Sequence, residues 1–251
     1  MASEKPLPLS RAELEAHLNV YRICFEAALT ACPTVTVTAV EQNPHNPLQW
    51  QLEVDEYTVG GKTADFPLSL VDAHRKWYLC DHFCYFVLRS LRQHLESKYG
   101  ATVKWCAVSA RPELVLVKKY DSPDSANTHS ILVVETQEGE GWVFDCTGEQ
   151  FGWPKSEWLM ELSLFVSLRM TDGWDIAETY TQATEEIIEQ RLVEQDDGYW
   201  AEIVICFGAM WKDFEWDALE NSEAASVESL VFETAKEMAE VAALATWNSE
   251  S

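Results

Sequence analysis

A helical run followed at once by strands limits this chain more than any other feature. From Cys80 the sequence reads Asp81-His82-Phe83-Cys84-Tyr85-Phe86-Val87-Leu88-Arg89-Ser90-Leu91 and continues to Tyr99, with Gly100 placed to end the helix in a left-handed cap. Strand-like runs follow at 102–109, 113–118, 129–136 and 141–146. The apolar side of such a helix and the apolar faces of such strands must bury against one another. The expected fold is α+β, with a mostly antiparallel sheet packed on the helix that Cys80 leads.

The flanking segments add helices. Residues 10–31 predict an amphipathic helix, capped by Ser10, with Glu13 completing a capping box and Leu14, Leu18, Tyr21, Phe25 and Leu29 near helical spacing. Val35, Val37 and Ala39 alternate with Thr, and Trp50, Leu52 and Val54 alternate again after Pro44 and Pro47. Gly60-Gly61 marks a turn. A short helical stretch after Pro67 takes in Ala73 to Tyr78, and its continuity with the Cys80 helix decides how exposed Cys80 is. Asp121-Ser122-Pro123-Asp124-Ser125-Ala126-Asn127 has the composition of a loop. Beyond Gly152-Trp153-Pro154 the pattern predicts helices around 155–170 and 178–195, a short strand from Trp200 to Phe207, and a last helix over about 223–247. The expectation is one domain over 1–251. Its core is roughly 33–150, its acidic, mainly helical subregion roughly 155–251, and the N- and C-terminal helices cover the outside.

Composition removes several function classes. The chain has 251 residues, 47% of them hydrophobic, enough for a packed core. It has no apolar run of membrane-spanning length, and its start lacks the basic-then-apolar order of a secretory signal, so a cytoplasmic location is expected. The seven Cys are then reduced thiols, mostly small core residues. A net charge of −24 opposes binding to nucleic-acid phosphates and to anionic membrane surfaces, while it permits a cationic partner. Between Glu178 and Ser251, eighteen acidic residues face only Arg191, Lys212 and Lys236. No cofactor is expected. No metal is either, since His82 does not share a helical face with both Cys80 and Cys84.

Three residues carry the chemistry. Cys80 opens a helix, where unpaired N–H groups and the positive end of the dipole favour a thiolate. His129 opens the strand His129-Ser130-Ile131-Leu132-Val133-Val134-Glu135, and Asp145 sits in the next one, Gly141-Trp142-Val143-Phe144-Asp145-Cys146-Thr147. An imidazole beside the thiol can take its proton, and a carboxylate can fix the imidazole's tautomer. Residues 75–150 resemble the Cys-His-Asp core of the transglutaminase-like, papain-like superfamily of cysteine enzymes. The likeness rests on Cys80 at a helix start, Cys84 as the small residue four later, Gly100 ending the helix, the His129 strand, the tight turn and the Trp142-x-x-Asp145 strand. The chain departs from that family's habit at Tyr78-Leu79, where Gly is frequent, and at Ile131, where an aromatic is frequent. The resemblance implies a hydrolase or acyltransferase acting on an amide, thioester or related acyl substrate, peptide or small molecule, through a covalent thioester. The competing expectation is a non-catalytic scaffold of that fold, binding a protein or cationic partner through its acidic helices.

Each of these residues has a rival. Cys84, one turn after Cys80, belongs in the core. His82 points elsewhere and is assigned to solvent. His74 and Trp77 are available as oxyanion donors beside the Cys80 N–H, although surface positions on an amphipathic helix suit them better. Trp142, Trp153 and Trp158 follow the His strand and can line a cleft, but eleven Trp in the chain are mainly core. Glu185, Glu186 and Glu189 read as a solvated helix face. Asp145 inside an apolar strand needs a partner, and His129 is the one that strand order supplies.

Overall fold

Ser10 starts the first helix, α1 (Arg11–Ala31), by the reciprocal bonds its spacing from Glu13 predicts. The Glu13 N–H donates to Ser10 Oγ at 3.3 Å, and the Ser10 N–H donates to Glu13 Oε2 at 2.9 Å. The computed structural model describes residues 6–32, 35–59, 66–119, 128–174, 177–194, 198–216 and 224–248. The turn expected at Gly60-Gly61 and the loop expected from Asp121 to Asn127 lie outside the described residues.

α1 does not cover the outside, as the sequence suggested. Leu14, Leu18, Tyr21, Phe25 and Leu29 are buried on one side, and Val20, Cys24, Ala27 and Ala28 are buried as well. The reason is the last helix, α7 (Ala224–Asn248), which packs along α1. Its Val231, Ala235, Ala239 and Ala242 are buried at three- and four-residue spacing, and small side chains let two helices approach closely.

Two strands, β1 (Val35–Gln42) and β2 (Gln49–Val59), form an antiparallel pair. After a 3₁₀ turn at Leu68–Leu70, the short α2 (Val71–Arg75) ends four residues before α3 (Cys80–Tyr99) begins. The two helical stretches are therefore separate, and Cys80 stands at a helix start. α3 buries Phe83, Cys84, Val87, Leu91 and Leu95, and stops at Gly100, whose φ of 62° is the left-handed cap the sequence predicts.

The main sheet has five strands in the order β7-β6-β5-β3-β8, all antiparallel: β3 (Thr102–Ser109), β5 (Thr128–Glu135), β6 (Gly141–Phe144), β7 (Leu159–Glu161) and β8 (Glu178–Thr179). One face, carrying Trp105, Leu132, Val134 and Phe144, joins the core with α1 and α3. The other, carrying Cys106, Ile131, Val133 and Val143, packs under Phe151, Trp153 and Phe165. Fully burying each such aromatic contributes about 1.5–3 kcal/mol. The fold is α+β with antiparallel sheet on helix.

Several segments differ from expectation. The run at 113–118 gives β4 (Val115–Lys118), which leaves the main sheet and pairs parallel to β2. Residues 155–170 are not one helix. Pro154 precedes a 3₁₀ turn, β7 adds to the sheet edge, and only α4 (Leu162–Arg169) is helical. Residues 178–195 divide into β8 and α5 (Gln182–Val193). The main sheet thus draws two strands from beyond residue 150. Trp200 to Phe207 is no strand but part of α6 (Tyr199–Asp213), because Trp200, Ile203, Phe207 and Trp211 face the core at helical spacing. Glu185 is not solvated: it is 5% exposed and accepts from the two terminal guanidinium nitrogens of Arg92, at 2.7 and 2.8 Å, tying α5 to α3. Glu186 is exposed and Glu189 half-buried. Among the described residues no helix is long and apolar enough to cross a membrane.

Candidate active site

The ladder between β5 and β6 pairs Leu132 with Phe144, so one step further Asp145 faces Ile131 and shares a sheet face with His129. The two side chains meet there. His129 Nε2 lies 2.7 Å from Asp145 Oδ2, with the imidazole fully buried and the aspartate 4% exposed. Asp145 is held from its other oxygen, where Oδ1 accepts from the Thr147 N–H at 2.8 Å and from Thr147 Oγ1 at 2.9 Å. Gly148 keeps this corner tight. A Cβ on it would stand 2.8 Å from the Trp153 ring and 3.1 Å from Asp145 Oδ2.

Burial opposes charge on both groups, and their partners outweigh it. Desolvation raises the Asp145 carboxyl, but the His129 charge and hydrogen bond and the Thr147 donors hold it below its ordinary range. Desolvation would lower His129, yet Asp145 and then Cys80 lift it to about 10. Cys80 adds to that rise by its charge, while no hydrogen bond joins it to the ring among the described residues. With Nε2 committed to Asp145, Nδ1 is the nitrogen left for the thiol, and it makes no hydrogen bond among the described residues. The rings of Phe151 and Trp153 stand edge-on to the imidazole, at centroid distances of 4.8 and 5.5 Å, and shield it from water.

The helix start is anchored on the sheet. Ser130 Oγ donates to Asp81 Oδ1, and Arg191 Nη2 donates to Asp81 Oδ2 at 2.7 Å. This fixes the first turn of α3 beside the β5 residue that follows His129. Leu79 caps α3 without a side-chain hydrogen bond. Before it the chain reverses through Tyr78, whose φ of 63° is the only positive value at a non-glycine among the described residues. A side chain in that region costs roughly 1–2 kcal/mol. Lys76, 3% exposed, braces the same reversal, with Nζ 2.6 Å from Glu26 Oε1 on α1 and 2.7 Å from Glu149 Oε1.

Cys80 is half-buried and opens on a small cleft of about 50 Å³, with Trp77, Tyr78, Leu114, Leu116, Gln150 and Phe151 around it. The cleft lies where β4 and the 3₁₀ turn Gly148–Phe151 meet the α2–α3 reversal. Among the described residues no group of three or more His, Cys, Asp or Glu is arranged to hold a metal ion.

The rivals separate clearly. Cys84 is wholly buried, its thiol pushed well above the ordinary range by desolvation. His82 is not solvated: it is 7% exposed, with its ring 5.4 Å from Trp200 of α6. His74 is no surface residue either, being buried between Phe66 and Trp77, and Trp77 Nε1 already donates to the Leu116 carbonyl at 3.2 Å. Trp142 and Trp158 stand away from the cleft under Arg11 and Arg22. Lys76, Glu149 and Gln150 carried no sequence signal, since nothing in their spacing tells that the residues after Asp145 fold back under the α2–α3 reversal. No family model matches this chain, and searches of curated proteins and of solved structures found no match.

Proposed function

We propose that this protein is a cysteine-dependent hydrolase or acyltransferase with Cys80 as nucleophile, His129 as its proton acceptor and donor, and Asp145 as the group that orients the imidazole. The observation that carries this reading is the buried His129–Asp145 pair beside a helix-start thiol, with His129 raised to about 10. An imidazole that stays protonated at neutral pH places a positive charge beside the Cys80 sulfur. Sγ of Cys80 attacks the acyl carbon, His129 gives its proton to the leaving amine or alcohol, and water or an amine then releases the acyl group from the thioester.

The order of elements agrees with the transglutaminase-like reading of residues 75–150. Tyr78 adds to it, because it takes a glycine-like φ just where that family often has glycine. Among the described residues the cleft wall carries no charged side chain, its polar groups coming from Tyr78, Cys80, Thr128 and Gln150, which suits a neutral acyl group.

Alkylation with iodoacetamide at neutral pH, mapped by mass spectrometry, tests the assignment. Cys80 should react at least about tenfold faster than Cys32 and Cys206, which are also half-buried. Equal, slow labelling of these three would favour a non-catalytic scaffold and end the enzyme reading.

A further inference from the structure

One side-chain donor in the Cys80 cleft is left open by the fold. Gln150, in the 3₁₀ turn Gly148–Phe151, is 7% exposed and lines the cleft with Cys80. Its Oε1 accepts from the Tyr78 N–H at 3.3 Å. An N–H must face the amide oxygen rather than the NH2 group, so this bond fixes which way the amide is turned. Nε2 is then directed elsewhere, is buried, and has no hydrogen-bond partner among the described residues. A buried donor left unpaired is destabilising, and in the wall of the Cys80 cleft such a donor can be satisfied by an acceptor that enters from outside.

We infer that Gln150 is a catalytic residue, its Nε2–H donating, together with the Cys80 backbone N–H, to the oxyanion formed when Cys80 attacks a carbonyl. The inference rests on Cys80 being the nucleophile. When the Cys80 Sγ–carbon bond forms, the carbonyl π pair moves onto oxygen. That oxygen gains a full charge beside two donors that need no reorganisation. Collapse restores the carbonyl and expels the leaving group, leaving a thioester on Cys80. The alternatives fail on geometry, as the Trp77 indole is already engaged and His74 does not line the cleft. Tyr78 gains a role as well. Its left-handed backbone aims the N–H that orients Gln150, so the strain of the reversal sits where the donor is set.

Two reactions of the same thiol separate an oxyanion donor from a structural glutamine. Acylation by p-nitrophenyl acetate builds an oxyanion and releases p-nitrophenolate. Alkylation by iodoacetamide displaces iodide and builds none. Gln150→Met keeps the volume and removes the donor; Gln150→Ala removes both. In each, acylation of Cys80 should fall by about 10²–10³-fold while alkylation changes by less than about threefold. Acylation unchanged, or both reactions lowered together, would overturn the role given to Gln150 while leaving Cys80 as nucleophile. Wild-type protein inert at Cys80 toward both reagents would instead remove the nucleophile, and the Gln150 assignment with it.

Discussion

Nε2 of His129 and Oδ2 of Asp145 lie 2.7 Å apart on one face of the main sheet, carried by the inner strand β5 and the end of the inner strand β6. Because both are buried, neither is stable alone as a charge, and each shifts the other toward its ionised form. The pair is then a fixed dipole whose positive end is available to Cys80.

The His129 ring should therefore show no titration near the usual 6.5. Followed by its Hε1 NMR shift, it should stay protonated through neutral pH and titrate near 10. Cys80→Ala should move that midpoint down, because Cys80 contributes to the rise. Asp145→Asn should move it further, since Asp145 contributes more. A midpoint near 6.5 in the wild-type protein would contradict the pairing.

Stability should follow the same linkage. His129 is raised from 6.5 to about 10 in the folded chain, so its contribution is complete below pH 6.5 and is lost as pH rises through 10. Asp145 is lowered from 3.8, so its contribution is complete above that pH and is lost as pH falls through its depressed value. Urea midpoints should accordingly decline from about pH 6.5 toward 10, more steeply in the wild type than in a His129→Phe variant. Equal slopes would remove the linkage.

Lys76 makes a larger structural claim. Removing it leaves Glu149 facing Glu26 with little exposure and strips Glu149 of its ion pair, while Glu26 keeps only the more distant Lys155 and Arg75, at 3.6 and 3.9 Å. Lys76→Met should lower stability by about 3–5 kcal/mol, read as a shifted denaturant midpoint at constant slope. Adding Glu26→Gln and Glu149→Gln should restore most of the loss, because uncompensated buried charge is its cause. No recovery in the triple variant would mean that Lys76 acts by packing instead.

The sequence foretells those parts of the fold that short-range rules govern, and misses those set by distant partners. Ser10 with Glu13, and Gly100 after Tyr99, marked helix ends because capping is a contact between near neighbours. His129 and Asp145 could be paired from strand order, since hairpin strands that share a face bring such residues together. Sequence alone places His82 and Glu185 in solvent, because their burial depends on Trp200 and Arg92, far along the chain. The run from Trp200 to Phe207 resembled a strand by its apolar, aromatic and β-branched content, and helical packing against α1 and α3 overrode that preference. Gln150 was invisible for the same reason as His82, its function resting on a contact with Tyr78 across the fold.

Tyr78 offers a test of strain independent of chemistry. Both Gly and Ala remove the phenol ring, but only Gly takes a φ of 63° freely. Tyr78→Gly should therefore be more stable than Tyr78→Ala by about 1 kcal/mol, against the usual preference for Ala. Chemical denaturation of the two variants decides it, and a more stable Ala variant would place Tyr78 outside the left-handed region.

The ranking of substitutions at the site is the most direct consequence of the proposed mechanism. Cys80→Ala should abolish acyl-enzyme formation with little effect on folding, because a half-buried thiol at a helix start fills little core volume. His129→Ala should lower acylation by at least about 10³-fold, since the thiolate loses its imidazolium and the leaving group its acid. Asp145→Asn should cost roughly ten- to a hundredfold less than that, as it disturbs the orientation and charge of an imidazole that is still present. Cys84→Ala should keep most of the activity, its thiol being buried away from the cleft and held neutral. Intact-mass detection of the acetyl adduct after p-nitrophenyl acetate gives the readout. An adduct that persists in the Cys80→Ala protein, or that maps to Cys84, would move the chemistry to another residue and dissolve the role proposed for the His129–Asp145 pair.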